Sequence, residues 1–538
     1  MIRGVGLWAM VVLLAGVSIL SGCAEEKGAA TGKNGNVLHM TIDADPPTLD
    51  SAFALDGNSY NLLNNVMEGL MRLGKGNKPE PAMAENTPEV SADGRTYTFR
   101  IRENAEWSDG QPVRAQDFEY AWKRILNPET KSPAVFHLFP IENATAYVQG
   151  QISADEVGVK ALDDRTLEVR LEESNPHFLE LTATAPYLPV RQDKVEESGG
   201  KFGREADQGL YNGPFILSDW KHEQLLTLKK NDRYWDKEMV QLEEVRAHIV
   251  KKATDALGMY TSDEADVVPL NAVTFEAFRN SAELVTHQRG ALVLIMLNTK
   301  EPPFNNKNIR KALNLAINRD QLVNELLKNG SRPAGGMVPP AIHSHQGESF
   351  RDKTEDYVEF DPAKAKKLLE KGLEEEQLSR MPDIVMSVND DERRHLALFI
   401  QEELKNHLGV DVQISPQPVS QKVAVDAAGQ FQMTIVRWIG SYDDPMAFLE
   451  IGTSVSPVNF GRWGNQQFDY LVHKAKGNPD PAWRETDLIQ AEAVVAEDAG
   501  VAPLYYEAQA FIQKPHVKNL FRHPVGPEYS LKWARIEK

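Results

Sequence analysis

Few residue patterns in this 538-residue chain could support catalysis or metal binding. Asp443 and Asp444 are adjacent carboxylates, the residue type that glycosidases use in pairs, but neighbouring residues rarely aim two carboxylates at one bond. His343 and His345 could ligate a metal through two imidazoles. They lie among prolines and a glycine, with no nearby cysteine and no dense acidic cluster. We interpret this segment as a solvated loop and expect no metal site.

The sequence also does not support a nucleotide-binding loop or a serine or cysteine nucleophile. The segment from Gly69 to Gly76 has the spacing of a phosphate-binding loop up to its lysine, but Gly76 stands where a serine or threonine would hold magnesium. No Gly-x-Ser-x-Gly elbow occurs, and Cys23 is the one cysteine, so the body of the chain has no thiol nucleophile. The sequence therefore predicts a protein that is not an enzyme and uses no cofactor.

The first residues have the features of an export signal. Arg3 supplies a positive charge, residues 7–20 are apolar, and Ser21 and Gly22 are the small residues that a signal peptidase needs. The apolar stretch is shorter than the about 20 residues of a permanent transmembrane helix. The context of Cys23 resembles the lipobox of bacterial lipoproteins, in which the sulfur is lipidated and becomes part of the new N-terminus. The alternative is an ordinary signal peptide with a chance cysteine.

The segment after Cys23 predicts a tether between a membrane and a water-soluble body. Its sequence, AEEKGAATGKNGN, has no aromatic or β-branched aliphatic residue to bury. A flexible coil of this length reaches about 20 Å. We therefore expect a signal peptide at 1–22 and a lipidated, palmitate-bearing cysteine with its tether at 23–36.

Bulk composition limits the class of protein and its partners. Hydrophobic residues make up 41% of the chain and charged residues 25%, which are ordinary globular values, and the length predicts two or three domains. The formal net charge of −19 argues against nucleic acid as a partner. One cysteine excludes a disulfide within the chain, so a large hydrophobic core must supply the stability.

Hydrophobic periodicity predicts strands that alternate with helices along the chain. An alternating architecture of this kind indicates an α/β fold. The predicted strands are 38–42, 96–102, 166–171 and 291–297; the predicted helices are one capped by Asn58 or Ser59, 117–126 and 309–330; and 395–412 repeats the order of helix, then strand.

Eight stretches carry a resemblance to a known family, in family order across nearly all of the mature chain. They are NNVMEGL at 64–70, DGRTYTFRIRENAEWSDGQPVRAQDF at 93–118, VGVKALDDRTLEVRL at 157–171, YNGPFILSDW at 211–220, NDRYWD at 231–236, NTKEPPFNNKNIRKALNLAINRD at 298–320, WIGSYDDP at 438–445 and VAPLYYEAQAFI at 501–512. The chain resembles the oligopeptide-binding lipoproteins of peptide ABC transporters, which belong to solute-binding protein family 5.

The resemblance implies an α/β periplasmic-binding-protein-like fold of class II, the three-lobed cluster C type, whose hinged lobes close over the ligand. It implies a domain I made of residues 37–75, 209–290 and 506–538, an inserted domain II at 76–208 and a domain III at 291–505. The stretch at 64–70 is similar to that of Gram-positive relatives. We therefore expect an exported protein anchored to the outer face of the cytoplasmic membrane, in the space that corresponds to the periplasmic space.

The function that the resemblance implies is transport. The protein would capture oligopeptides as a monomer and deliver them to the permease subunits of an ABC importer, and it would meet the ATPase subunits only indirectly. Two alternatives remain open on the same fold. One is a peptide-pheromone or signalling receptor, and the other is a binder of a non-peptide solute such as nickel or haem.

The family usually places an aspartate, which meets the peptide amine, just before the tyrosine of a Trp-x-x-Asp-Tyr segment. Here that position is Ser441, whose hydroxyl can accept a hydrogen bond but cannot neutralise an ammonium. Three interpretations are open: Asp443 or Asp444 reaches the amine instead, the ligand lacks an amine at that point, or the site has changed toward another solute or weaker binding.

Five other positions follow from the same resemblance. Trp438 and Tyr442 either form the walls of the backbone channel or simply pack. Arg393 falls where a basic residue meets the peptide carboxylate, although a solvated helix face is the alternative, and Arg437 could serve similarly. Val419 stands where the oligopeptide-binding branch often has a tryptophan, so the shape of a side-chain pocket should differ.

Overall fold

The computed structural model describes residues 36–391, 393–478 and 480–537, and among these it leaves the side chains of 419 and 420 undescribed. The predicted signal peptide, the lipidation site Cys23 and all but the last residue of the predicted tether lie outside the described residues, as does the Val419 side chain. No helix in the described part of the chain is both long and apolar enough to cross a bilayer.

Strands and helices alternate through the described chain. The strands are β1 Val37–Ile42, β2 Met71–Leu73, β3 Pro79–Pro81, β4 Glu89–Val90, β5 Thr96–Arg100, β6 Val159–Ala161, β7 Thr166–Arg170, β8 Phe215–Lys221, β9 Leu225–Lys230, β10 Glu244–Ile249, β11 Val267–Leu270, β12 Leu284–Leu297, β13 Arg332–Pro333, β14 Ile384–Asn389, β15 Val412–Gln417, β16 Met433–Ile439, β17 Ala502–Gln513, β18 Val517–Lys518, β19 Phe521–Arg522, β20 Tyr529–Ser530 and β21 Arg535–Ile536.

The helices pack around these strands. They are α1 Gly57–Val66, α2 Ala115–Leu126, α3 Ala144–Val148, α4 Phe178–Leu181, α5 Gln192–Glu197, α6 Ala253–Thr261, α7 Ala272–Phe278, α8 Lys307–Leu315, α9 Arg319–Gln321, α10 Pro362–Glu375, α11 Arg393–Leu408, α12 Val419–Ala428, α13 Met446–Leu449, α14 Gln466–Gly477 and α15 Pro481–Glu497. A π-helix, Leu322–Leu327, follows α9 directly.

One large mixed sheet organises the fold. Within the described residues its strand order is β15-β14-β16-β12-β17-β11-β1-β10-β9-β8, and β13 pairs with β17 beside this path. The pairs β1–β10, β1–β11, β14–β15 and β14–β16 are parallel, and β12 is antiparallel to both of its neighbours. Parallel and antiparallel pairs in one sheet are typical of large α/β proteins.

Two long central strands, β12 and β17, connect the two halves of this sheet. The first part of β12 pairs with the end of β17, next to β11, and its second part pairs with β16. The β12–β17 register shifts between Gln288 and Leu292 and again between Val293 and Leu294. Bulges bend a strand and increase its twist, so the sheet turns in this region.

A smaller antiparallel sheet, β4-β5-β7-β6, lies in the segment 89–170 and packs against α2. Its inward side chains, among them Phe99 and Leu167, are fully buried together with Phe118 and Trp122 of α2. The alternation of buried and exposed residues in β5 and β7 follows the alternation that the sequence predicts.

Two further hydrophobic clusters are separate from this core. One is formed by β12, β14 and β16 with α8, α10 and α11, and all its buried members lie between Val293 and Tyr505. The other is formed around α6, β11 and the far end of β17. The two clusters therefore lie on opposite sides of the bulged part of β12.

Most predicted elements are confirmed. The predicted strands 38–42, 96–102 and 166–171 correspond to β1, β5 and β7, and the helix 117–126 corresponds to α2. The segment 395–412 covers all but the first two residues of α11 and the first residue of β15. The predicted strand 291–297 is the second half of β12, which begins seven residues earlier. These segments have strong periodicity or a continuous apolar run, and both signals persist in the fold.

Two local predictions are wrong. The cap of α1 is Asp56 rather than Asn58 or Ser59, because its carboxylate accepts the Ser59 amide N–H at 2.9 Å. The predicted helix 309–330 breaks after α8 and resumes as α9 and a π-helix. Asn318 causes the restart, because its side chain accepts the Gln321 amide N–H and begins a new helix.

Candidate functional site

The loop 441–444 follows β16 and contains four of the predicted site residues. Ser441 is half-buried, and its hydroxyl makes no hydrogen bond with any described residue. Trp438, at the end of β16, is partly buried and its indole N–H donates to the Ala447 carbonyl at 2.8 Å. This bond holds α13 against the end of the strand, so Trp438 contributes both to packing and to the shape of the loop.

Tyr442 connects the loop to a distant segment of the chain. Its ring stacks on His177, with centroids 4.4 Å apart and planes 9° from parallel, and its hydroxyl donates to Glu450 at 2.9 Å. Burial, with the nearby charge of Glu450, raises the pKa of Tyr442 well above its usual range, so the phenol stays a donor. Burial likewise raises the pKa of Glu450.

Asp443 makes three hydrogen-bonding contacts with two residues, His343 and Glu180. Its carboxylate accepts the His343 amide N–H at 2.9 Å and lies 2.7 Å from His343 Nδ1. Its own backbone N–H donates to Glu180 Oε2 at 3.0 Å. The hydrogen bond to Asp443 raises the pKa of His343. The carboxylate is therefore already engaged by an imidazole in this structure.

Asp444 forms a two-bonded ion pair with Arg484, at 2.7 Å for each nitrogen. One of its oxygens also accepts the Met446 amide N–H and so begins α13. Burial would lower the pKa of Arg484, but the hydrogen bonds and charge of Asp444 raise it overall. His177 Nε2 lies 3.5 Å from Asp444. The geometry thus pairs Asp444 with the Arg484 guanidinium and Asp443 with the His343 imidazole.

Arg437 lies four residues before Ser441, on β16, and forms a bidentate ion pair with Glu507 of β17, at 2.6 Å for both bonds. The pair reaches across β12, because β12 lies between these two strands. The Arg437 side chain is 32% exposed although it belongs to an interior strand. An exposed side chain at this depth indicates that solvent enters a cleft here.

Glu507 stands among three arginines. Burial would raise its pKa, but Arg437, followed by Arg289 and Arg393, holds the pKa of this carboxyl below its ordinary range. Arg289 is fully buried at the bulge of β12 and donates to the carbonyls of His523 and Gly526. Arg393 begins α11 and pairs with Asp391 through Nε at 2.9 and 3.0 Å. We refer to Arg289, Arg393 and Arg437 as the arginine group.

The predicted site residues therefore divide into two sets. Ser441, Tyr442, Asp443 and Asp444 lie in the loop together with Trp438 nearby, whereas Arg393 and Arg437 lie near Glu507. Arg437 and Ser441 are four residues apart along the chain and β16 ends between them at Ile439, so their Cα atoms are at most about 14 Å apart. The arrangement has an uncharged hydroxyl with nearby carboxylates at one end and a group of arginines at the other.

Four residues that complete the site were not predicted from the sequence. His177, Glu180, Arg484 and Glu507 come from segments far away in the chain, and of these only Glu507 lies in a stretch that resembles the family. Their neighbours are ordinary helix and strand residues, so only the tertiary contacts reveal them. The stretch VAPLYYEAQAFI contains Glu507, and its single carboxylate in an apolar strand is the one signal that could have been used.

The motifs set aside in the sequence have structural roles. His343 and His345 bond to different carboxylates, Asp443 and Glu485, and the described residues contain no group of three or more side chains that could hold a metal ion. The segment from Gly69 to Gly76 forms β2 and the turn to β3 instead of a strand–loop–helix unit. Neither segment is built for the chemistry that its spacing suggested.

Comparison with known proteins places these observations in a family. The model "Bacterial extracellular solute-binding proteins, family 5 Middle" matches residues 78–460. The chain is 36% identical over 539 residues to the dipeptide-binding protein DppE of Bacillus subtilis, with 98% of each chain covered. It is 33% identical over 541 residues to the oligopeptide-binding protein OppA of the same organism, with 97% of this chain and 98% of that one covered.

The fold matches solved structures of such proteins. The structure of Listeria monocytogenes OppA bound to peptide aligns with a TM-score of 0.80 at 31% identity, covering 94% of this chain and 100% of that chain. The predicted fold class, a periplasmic-binding-protein-like α/β fold, is therefore confirmed.

Proposed function

Because this chain belongs to the bacterial extracellular solute-binding proteins of family 5, we propose that it captures short peptides outside the cytoplasm and delivers them to the permease of an ABC importer. It binds the peptide and changes none of its covalent bonds. The relatives named for dipeptide and oligopeptide binding support peptide as the ligand, and no observation of the site favours nickel, haem or another non-peptide solute.

The observation that carries this proposal is an open backbone edge beside the candidate site. β14 pairs with β16 only at Met433 and Thr434, whereas β12 pairs with β16 along its whole length up to Ile439. Among the described strands, none pairs with the β14-facing edge from residue 435 to 439. An extended peptide can add to such an edge and form backbone hydrogen bonds that do not depend on its sequence.

Two features beside this edge suit the two ends of a peptide. The loop 441–444 lies beyond one end of the edge, and Arg437 lies at the middle of the edge, with Arg393 also near Glu507. Because an extended chain advances about 3.3 Å per residue, the stretch of at most about 14 Å between Arg437 and Ser441 accommodates about four residues. We propose Trp438, Ser441 and Tyr442 as walls of the peptide channel, and Arg393 and Arg437 as donors to the peptide carboxylate.

A hinge at β12 and β17 would let the site open and close. We propose the domain division 37–75, 209–290 and 506–538 for domain I, 76–208 for domain II and 291–505 for domain III. Two observations support it: the cluster between Val293 and Tyr505 lies inside the third range, and the bulge of β12 falls at its first boundary. The stacked pair of His177 and Tyr442 would then join domains II and III in the closed form.

We propose that the protein is a lipid-anchored monomer on the outer face of the cytoplasmic membrane. The support is in the sequence: an apolar leader, small residues before Cys23, and a polar tether after it. The same arrangement would keep the peptide site within reach of the permease. A chain without an intramolecular disulfide suits this role, because its large core needs no covalent bridge.

Identification of carried-over ligand tests the proposed function. The protein is purified without denaturant and then unfolded, and the small molecules it releases are analysed by mass spectrometry. We expect peptides of about two to five residues with varied sequences. A single recurring peptide would favour a signalling receptor, and a bound metal complex or other non-peptide compound would contradict the proposal.

A further inference from the structure

The carboxylates around the loop 441–444 differ in how well they are neutralised. Asp444 binds Arg484 through two hydrogen bonds, and Asp443 lies 2.7 Å from His343 Nδ1. Glu450 accepts the Tyr442 hydroxyl in a buried position that raises the pKa of its carboxyl. Each of these three groups is therefore either paired or disposed to take a proton.

Glu180 is the exception. Its Oε2 accepts a neutral backbone N–H, that of Asp443, at 3.0 Å, and its Oε1 lies 3.6 Å from His177 Nδ1, beyond hydrogen-bonding distance. Within the described residues, no lysine or arginine nitrogen lies within 4 Å of this carboxylate. Its side chain is 19% exposed, so a ligand can approach it.

Glu180 also lies close to the position where a charge is missing. Asp443, whose N–H it accepts, is two residues from Ser441, so the two Cα atoms are at most about 7 Å apart. Among the residues that the structure describes, the Ser441 hydroxyl has no hydrogen-bonding partner. An ammonium placed here could donate a hydrogen bond to the uncharged Ser441 hydroxyl. It would still need a carboxylate to offset the cost of its desolvation.

We infer that Glu180 supplies the carboxylate that holds the ammonium of the peptide, with the Ser441 hydroxyl as a second acceptor. This inference rests on the proposed function, since it concerns how the same site reads its ligand. The ligand class is a short peptide with a free α-amine. Because Glu180 and Ser441 are 261 residues apart in the chain, the amine also holds the segment 173–180 against the loop.

The consequence is that amine recognition and closure are coupled. If the carboxylate were on the loop itself, an open protein could bind the amine fully. With the carboxylate on Glu180, the contact is complete only when both segments meet. A peptide with a blocked amine therefore loses the ammonium contact and also part of the free energy that favours the closed form.

The test compares two peptide pools on matched variants. An equimolar pool of tri- to pentapeptides and its N-acetylated counterpart are titrated calorimetrically into the wild type, Glu180→Gln and Glu173→Gln, each refolded to remove carried-over ligand. Glu173 belongs to the same segment and pairs with Lys476 at 3.4 Å, but it is 73% exposed. It controls for loss of a charge and of a contact between segments.

We expect the wild type to prefer the free-amine pool by tenfold or more, because only the free amine makes a hydrogen bond between charged groups. Glu180→Gln should lose this preference through weaker binding of the free-amine pool, while its affinity for the acetylated pool, which also reports correct folding, stays within about twofold. Glu173→Gln should keep the preference. Adding Ser441→Asp to Glu180→Gln should restore it.

Two results would overturn the inference while leaving peptide capture intact: equal binding of both pools by the wild type, or an unchanged preference in Glu180→Gln. Loss of the preference in Glu173→Gln to the same degree would also overturn it, because the effect would then be one of segment contact alone. A wild type that binds neither pool would instead contradict the proposed function itself.

Discussion

The imidazole of His177 lies flat against the phenol of Tyr442, with ring centroids 4.4 Å apart and ring planes 9° from parallel. The two residues belong to α4's leading turn and to the loop after β16, and this contact holds those segments together. Next to it, Arg484 bonds to Asp444 and Glu180 accepts from Asp443. One compact set of contacts therefore joins the proposed domains II and III at one end of the peptide site.

Replacing His177 by alanine should weaken peptide binding by about fivefold. An aromatic pair contributes about 0.5–1.5 kcal/mol, and in the proposed mechanism this contact exists only in the closed form. Calorimetric titration with the tri- to pentapeptide pool measures the effect. His222→Ala is the control, because its ring contacts Trp220 and Asp45 instead. Equal affinity of both variants and the wild type would show that the stacked pair does not favour closure.

Replacing Arg484 by methionine should lower the free energy of unfolding by about 3 kcal/mol. The change leaves the Asp444 carboxylate, only 12% exposed, without its cation, and removal of one partner from a buried pair is strongly destabilising. Urea unfolding gives the measurement. Lys364→Met, which removes the exposed pair with Glu359, should cost less than about 1 kcal/mol.

The double variant Asp444→Asn with Arg484→Met completes that experiment. If the two side chains act as a pair, its loss of stability should be smaller than the sum of the two single losses. Simple additivity of the two losses would show that the pair contributes no coupling energy, and the loop would then depend on other contacts.

The free energy of unfolding should decrease as the pH falls below 6.5. Burial lowers the pKa of His523 from its ordinary value of 6.5 to about 3, and that of His287 to about 4. The unfolded chain therefore binds these protons more readily than the folded protein, and the stability that depends on neutral histidine is full above pH 6.5 and is lost as the pH falls. For the fully buried His523 the loss at pH 5 is about 2 kcal/mol.

Urea unfolding at pH 7 and pH 5 checks this dependence. His523→Gln should reduce the difference in unfolding free energy between the two pH values, because glutamine does not titrate. Each protein is compared with itself at the two pH values, so the loss of stability that the substitution itself causes cancels from the difference in unfolding free energy. An unchanged difference in the variant would contradict a neutral buried His523.

Replacing Arg393 or Arg437 by methionine should weaken binding of peptides that have a free carboxylate, by about tenfold, as expected for hydrogen bonds to a charged group. Binding of the same peptides with amidated C-termini should change little. Arg394→Met is the control, because this neighbouring residue is exposed and pairs with Asp390. If the free and amidated pools respond equally to each substitution, the two arginines do not read the carboxylate.

Local patterns in the sequence predict much of the fold, but they do not predict which distant residues meet at the candidate site. The alternation of 96–102 and the apolar run 291–297 persist as β5 and the second half of β12, because each describes how one segment buries its own side chains. The first half of β12, LVTHQRG, has no such pattern. It becomes a strand because the far end of β17 pairs with it. The sequence of one segment does not show that a distant strand will pair with it.

The same limit applies to the candidate site. Ser441 could be singled out from the sequence because a resemblance supplied the residue expected there. The partners of its neighbours could not, since Asp443 meets His343 and Glu180, and Asp444 meets Arg484, only after distant segments pack together. Which carboxylates are neutralised is a property of tertiary contacts, so the interpretation of the amine site depended on the structure.

Calorimetric titration of the tether-free protein, unfolded and refolded to remove carried-over ligand, tests peptide capture most directly. The tri- to pentapeptide pool is compared with a matching mixture of free amino acids, which have the same side chains and charges but no extended backbone to add to β16. We predict saturable binding of the pool at one site per chain and no binding of the amino acids. A correctly refolded protein that binds neither mixture, or both equally, would contradict the account.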